Sequence, residues 1–162
     1  MRMVYLDHSA TSFLKPPQVV EAITRALKLQ ASGGRAGYPP ALEASRTIYQ
    51  TRTVLAELFH AKSPCSVAFT SNGTESLNIA INGLLYSGGH VITTSMEHNS
   101  VLRPLYRLED EGKIQLTILS ADRKGRLSFQ ELKDAVRNDT IAVVISHVSN
   151  MTGNKYDIKR VG

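Results

Sequence analysis

The sequence predicts an α/β fold, a mostly parallel sheet flanked by helices. Apolar residues alternate along the chain between strand-length runs and helical spacing. The run "IAVVIS" at 141–146 is almost continuously apolar, the pattern of a strand covered on both faces. Glycine turns and a capping motif separate these runs, and repeated βα units of this kind favour parallel pairing.

The elements follow in order. "VYL" at 4–6 is a short strand candidate. Val19, Ile23 and Leu27 recur every four residues and define a helix over 17–29, with Pro16 and Pro17 tolerated at its start. "QASGGRAGYPP" at 30–40 is a Gly/Pro loop. Ala41, Ala44, Ile48, Leu55 and Leu58 mark a second helix, and "SVAFT" at 66–70 a strand. Leu77, Ala80, Ile81, Leu84 and Leu85 give a helix, and "YSGGH" turns the chain at Gly88 and Gly89. "HVITT" at 90–94 is a strand, residues 99–111 a helix on Val101, Leu105 and Leu108, and "IQLTIL" at 114–119 a strand. Ser128 and Glu131 form a capping box that opens a helix running to about Arg137. Asp157 stands where it can cap a helix beginning at Ile158, five residues before the end of a chain that reads as cut in mid-pattern.

Composition sets bounds. Of 162 residues, 42% are hydrophobic and 20% charged, ordinary for a water-soluble globular chain. No apolar run approaches the roughly 20 residues that cross a membrane. The formal charge of +5 is spread along the chain rather than clustered, so a solvated surface accounts for it better than a nucleic-acid partner. The single cysteine, Cys65, permits no internal disulfide and fits a reducing compartment, the cytoplasm. It lies between Pro64 and an expected strand and reads as a buried structural thiol.

The unusual polar residues lie at helix starts. In parallel α/β folds, ligands bind beyond the carboxyl ends of the strands. A helix N-terminus there offers unpaired N–H groups and partial positive charge to an anion. "FTSNGTESLNIAI" at 69–81 places Ser71, Asn72, Gly73 and Thr74 at such a junction. It fits a phosphate turn; it also fits a plain cap, with Asn72 capping and Glu75 as its partner. Neither G-x-G-x-x-G nor G-x-x-x-x-G-K-[ST] occurs. His98 and Asn150 follow two other strand ends. An imidazole, an amide and a phosphate cradle at one sheet edge suit a planar phosphorylated ring. The histidines lack metal-ligand spacing.

The segments "YLDHSATS", "ALEASR", "FTSNGTESLNIAI", "HVITTSMEHNSVLRPL" and "SHVSNMTG" occur in this order. Together they resemble the N-terminal part of class V aminotransferases, fold-type I enzymes that use pyridoxal 5′-phosphate (PLP), and most of all the cysteine desulfurases. The resemblance implies that the chain is the N-terminal portion of a PLP-dependent transferase large domain. It would hold one partial domain over 1–162, with an N-terminal segment of about 1–40 and a cofactor-binding core of about 41–162. It implies that Gly73 and Thr74 hold the cofactor phosphate. His98 would stack on the ring and take part in proton transfer, and Asn150 would lie near the ring hydroxyl and the substrate. Ala10 and Thr11 would lie near the substrate end. His8 departs from the family pattern and receives no role.

The family's Schiff-base lysine follows a Ser/Thr-x-His-Lys run that is absent here, and Lys155 reads as a surface residue. The desulfurases' cysteine loop and the aspartate facing the pyridine nitrogen are absent too. The resemblance thus implies a fragment, inactive alone, of an enzyme that takes sulfur from L-cysteine. It also implies a homodimer, as is usual in the family, or pairing with a second chain that carries the missing half. The alternative is an inactive half-protein that serves as a binding or dimerisation module, or as one chain of a split enzyme.

Overall fold

Pro17 starts the first helix, as its fixed φ and missing N–H allow at a first turn. This is helix α1, Pro17–Leu29, in a computed structural model that describes residues 3–162. The described residues form two compact units, one ending at Phe69 and the other covering Thr70–Gly162.

In the first unit, α1 buries no residue, and the stripe expected to face a core, Val19, Ile23 and Leu27, is solvent-exposed. Helix α2, Pro39–Leu58, buries Ala41, Ala44 and Ala56. The loop between the helices lies against its start. Gly34 N–H donates to Ser45 Oγ at 2.9 Å, and a Cβ on Gly33 would crowd Ser45 N at 3.3 Å.

Two expected strands are absent. Residues 4–6 form no strand and are unpaired, with Leu6 89% exposed: a short apolar run cannot make a strand without a partner edge. Residues 66–70 are not a strand either. Pro64–Ser66 is one 3-10 turn, and 67–70 run on without a ladder. Cys65 lies on that turn and is exposed, not buried as expected, because no sheet face covers it. Phe69 stacks under the Arg52 guanidinium, 5.7 Å from the ring centre, where a cation–π contact replaces core packing.

The second unit is the α/β core. Its elements are α3 (Gly73–Leu84), β1 (Gly89–Thr94), α4 (Asn99–Asp110), β2 (Ile114–Leu119), α5 (Phe129–Ala135), β3 (Thr140–Val143) and α6 (Ile158–Val161). The strands form one sheet in the order β2-β1-β3, with both pairings parallel. The strand expected over 141–146 is shorter, since a register shift between His90 and Val91 disturbs its ladder, although Val144 N–H still donates to Ile92 O at 2.8 Å. Asp157 precedes α6 but makes no side-chain cap bond.

Pleat alternation sorts the core. Val91 points to a cluster with Ile81 and Leu85 of α3 and Val101, Leu105 and Leu108 of α4. Ile92 points the other way, to Leu119 and to Leu132 of α5. The order reverses after β2, so right-handed crossovers send α4 and α5 to opposite faces. Gly88 and Gly89 have φ of +73° and +126°. A Cβ on Gly88 would lie 2.7 Å from Lys113 O, so the turn into β1 admits no side chain.

His90 is fully buried within this sheet. Its Nδ1 is 2.8 Å from Thr140 Oγ1 on β3, and its Nε2 is 2.8 Å from Thr117 Oγ1 on β2. Burial is the main cause that pushes its pKa down. The Arg137 guanidinium adds to the fall, and Asp139 opposes it.

Candidate functional site

At the start of α3, Asn72 Oδ1 accepts from Glu75 N–H at 2.9 Å. The Glu75 carboxylate turns back and accepts from the Ser71 hydroxyl and from Ser71 N–H. These Ser71 donors hold the Glu75 pKa below the usual carboxylate value. The expected capping pair is therefore present, and it satisfies Ser71 and Glu75 only. The N–H groups of Gly73 and Thr74 have no partner among the described residues. A Cβ on Gly73 would meet no heavy atom within 4 Å, so neither packing nor its φ requires glycine there.

At the start of α4, His98 is itself the cap. Its Nδ1 accepts from Ser100 N–H at 3.1 Å. An accepting Nδ1 puts the proton of the neutral ring on Nε2, which is left free to donate. Thr74 and Asn78 of α3, the capping His98, and Ser100, Arg103 and Arg107 of α4 line one groove of about 360 Å³. No carboxylate lines it, and Arg107 donates to Asn82 Oδ1 at 2.6 Å.

After β3, the chain folds into a tight hairpin closed by a Val148–Lys155 bridge. Ser149 is buried and its hydroxyl accepts from Met151 and Thr152 N–H. Tyr156 Oη donates to Gly125 O at 2.8 Å and fixes the base. Asn150 sits exposed on the turn and is not part of the groove, while Lys155 is exposed as expected. The strands are parallel, so the segments after β1 and β3 leave the sheet at one edge. Ala10 and Thr11 belong to the first unit, where both N–H groups donate to Asp7 O at 3.2 and 3.3 Å. Among the described residues, no group of three or more His, Cys, Asp or Glu side chains could hold a metal ion.

One residue escaped the sequence reading. Glu97, 8% exposed, lies between Met96 and His98. Its Oε1 accepts from the Thr94 hydroxyl at 2.8 Å and from Ser146 N–H at 2.9 Å, and its Oε2 from the Ser146 hydroxyl at 2.6 Å. The available signal was a lone carboxylate three residues after the end of a strand whose last residues are all buried.

The chain matches the family model described as aminotransferase class-V over residues 4–162. It is 38% identical to a cysteine desulfurase, IscS, of Dictyoglomus turgidum over 94% of this chain and 39% of that protein. An apo structure of a cysteine desulfurase from Thermococcus onnurineus NA1 matches with a TM-score of 0.88 at 30% identity, over 98% of this chain and 40% of that one. A structure described as SspA in complex with cysteine matches with a TM-score of 0.85 at 31% identity, over 97% and 46%. The chain thus spans 39–40% of the length of the curated relatives it matches. The chain, with its parallel sheet, belongs to the class-V aminotransferase family.

Proposed function

We propose that this chain carries the PLP cradle of a cysteine desulfurase-like enzyme, without completing the reaction alone. Class V aminotransferases and cysteine desulfurases are PLP-dependent. One observation carries the reading: the Gly73 and Thr74 N–H groups are unpaired at a helix start, with open space over Gly73, and Thr74 lines a groove together with the His98 imidazole.

The residues present fit the cofactor. The Gly73 and Thr74 N–H groups, the Thr74 hydroxyl and the helix dipole suit a phosphate dianion. Open space over Gly73 allows close approach. His98 is oriented by its own cap bond, which leaves a ring face and Nε2–H for a planar ligand. Asn150, on a pinned hairpin at the same sheet edge, supplies an amide to the ring hydroxyl or the substrate. PLP, when bound, supplies an electron sink for bond cleavage beside the amino nitrogen. Cysteine as substrate is supported by the desulfurase relatives and by the related complex with cysteine. Ala10 and Thr11 are assigned to the substrate end from the family pattern.

The test is an absorbance titration of the chain with PLP, with and without borohydride. Reversible binding without a reducible adduct, lost in His98→Ala, is expected. Failure to bind overturns the cradle, and a reducible adduct on one defined lysine overturns the assignment of the chain as incomplete.

The exposed stripe of α1 favours a second reading, an association module. Sedimentation of the purified chain tests it: a monomer at all concentrations removes this reading.

A further inference from the structure

The strand order reverses between β1 and β3, and sheets of this kind take ligands beyond the carboxyl ends of the strands at such a point. The segment with His98 follows β1, and the hairpin with Asn150 follows its neighbour β3. The Glu97 carboxylate bridges the two segments, bonded to Thr94 at the end of β1 and twice to Ser146 beyond β3. All three bonds are donated to the carboxylate, as burial of that charge requires. An aliphatic side chain would fill the same space but leave the Ser146 N–H and the Thr94 and Ser146 hydroxyls without their acceptor. It would therefore leave the exit of β3 unfixed.

We propose that Glu97 is a positioning residue, a tie that sets the segment bearing His98 against the hairpin bearing Asn150. The consequence for cofactor rests on the PLP reading; the tie itself does not. Glu97 is bonded to Ser146, and His147 O next accepts from Tyr156 N–H at 2.9 Å. The fixed geometry therefore passes directly into the hairpin base. On the other side, His98 follows Glu97 in sequence, so the carboxylate also sets where the α4 cap begins.

Amide hydrogen exchange on the whole chain tests the tie without any ligand. In Glu97→Leu, exchange should rise by about tenfold or more, both at Ser146 and the 149–153 hairpin and at Ser100 N–H. Glu97→Gln keeps an acceptor for Ser146 N–H and should restore both sides. Ser146→Ala removes one hydroxyl and should loosen both sides more weakly, which keeps the test open where Glu97→Leu does not fold. Leu132→Ala, a destabilised control in the other core cluster, should not loosen the two segments selectively. Loosening on one side only, or equal loosening in Leu132→Ala, overturns the tie. With PLP, Glu97→Leu should bind about tenfold more weakly and Glu97→Gln within about threefold of wild type. An unchanged affinity in Glu97→Leu overturns the positioning role. If wild type binds no PLP, the cradle reading fails and the exchange result still decides the tie.

Discussion

A single imidazole at position 98 serves both the helix and the groove, and the two roles separate by substitution. His98→Ala removes the α4 cap and should cost about 1 kcal/mol of stability. His98→Asn restores an acceptor at the cap but supplies no ring. Thermal melts should show Asn near wild type and Ala below it, while PLP titration should show both weakened by about 3- to 10-fold. Equal affinity in His98→Asn and wild type would remove the ring from the site. Gly73 separates the same properties in the opposite sense. Space is open above it and its φ is not in the left-handed region. Gly73→Ala should therefore leave the chain as stable, or more stable by about 0.4–1 kcal/mol, while it hinders phosphate approach. A melt and a titration with inorganic phosphate on the same sample read both effects.

Helix α4 carries the most at the level of elements. Leu105 is fully buried between α3, β1 and β2, so Leu105→Ala should cost about 2–5 kcal/mol, measured by urea unfolding. Its pattern was plain in the sequence, because Val101, Leu105 and Leu108 recur on one face and the face is covered. The same logic failed for α1, whose equally regular Val19, Ile23 and Leu27 are exposed. Periodicity reports a face, and a neighbour decides whether it is buried. The strands divide in the same way. Residues 90–94 and 114–119 were legible because they pair with each other; 4–6 and 66–70 have similar composition and no partner. At the site, the caps of α3 and α5 could be read from local spacing. Glu97 could not, because its partner Ser146 lies 49 residues away and only the closed sheet brings them together.

For the molecule as a whole, His90 links stability to pH. Its folded pKa lies below the ordinary imidazole value of about 6.5. Between those values the unfolded chain binds more protons than the folded one, so stability rises with pH. The contribution is complete above about pH 6.5 and is lost as pH falls through the folded pKa. Melting temperature should drop as the pH is lowered below about 6.5. His90→Gln, which keeps a donor and an acceptor without titrating, should flatten that drop. The same slope in variant and wild type would assign the dependence to other groups.

The imidazole at the sheet centre also dates the sheet's assembly. Its two hydroxyl partners lie 27 and 50 residues further along the chain. At about 5–20 residues per second, synthesis reaches the second one roughly 3–10 s after the histidine itself. For that interval the centre strand can have only one neighbour, and one ring nitrogen must be served by water. The last strand is thus a lock closed late in synthesis. A ribosome-held chain stopped before residue 140 should show a histidine whose pKa is less depressed than in the complete chain, and addition of the last strand should lower it further.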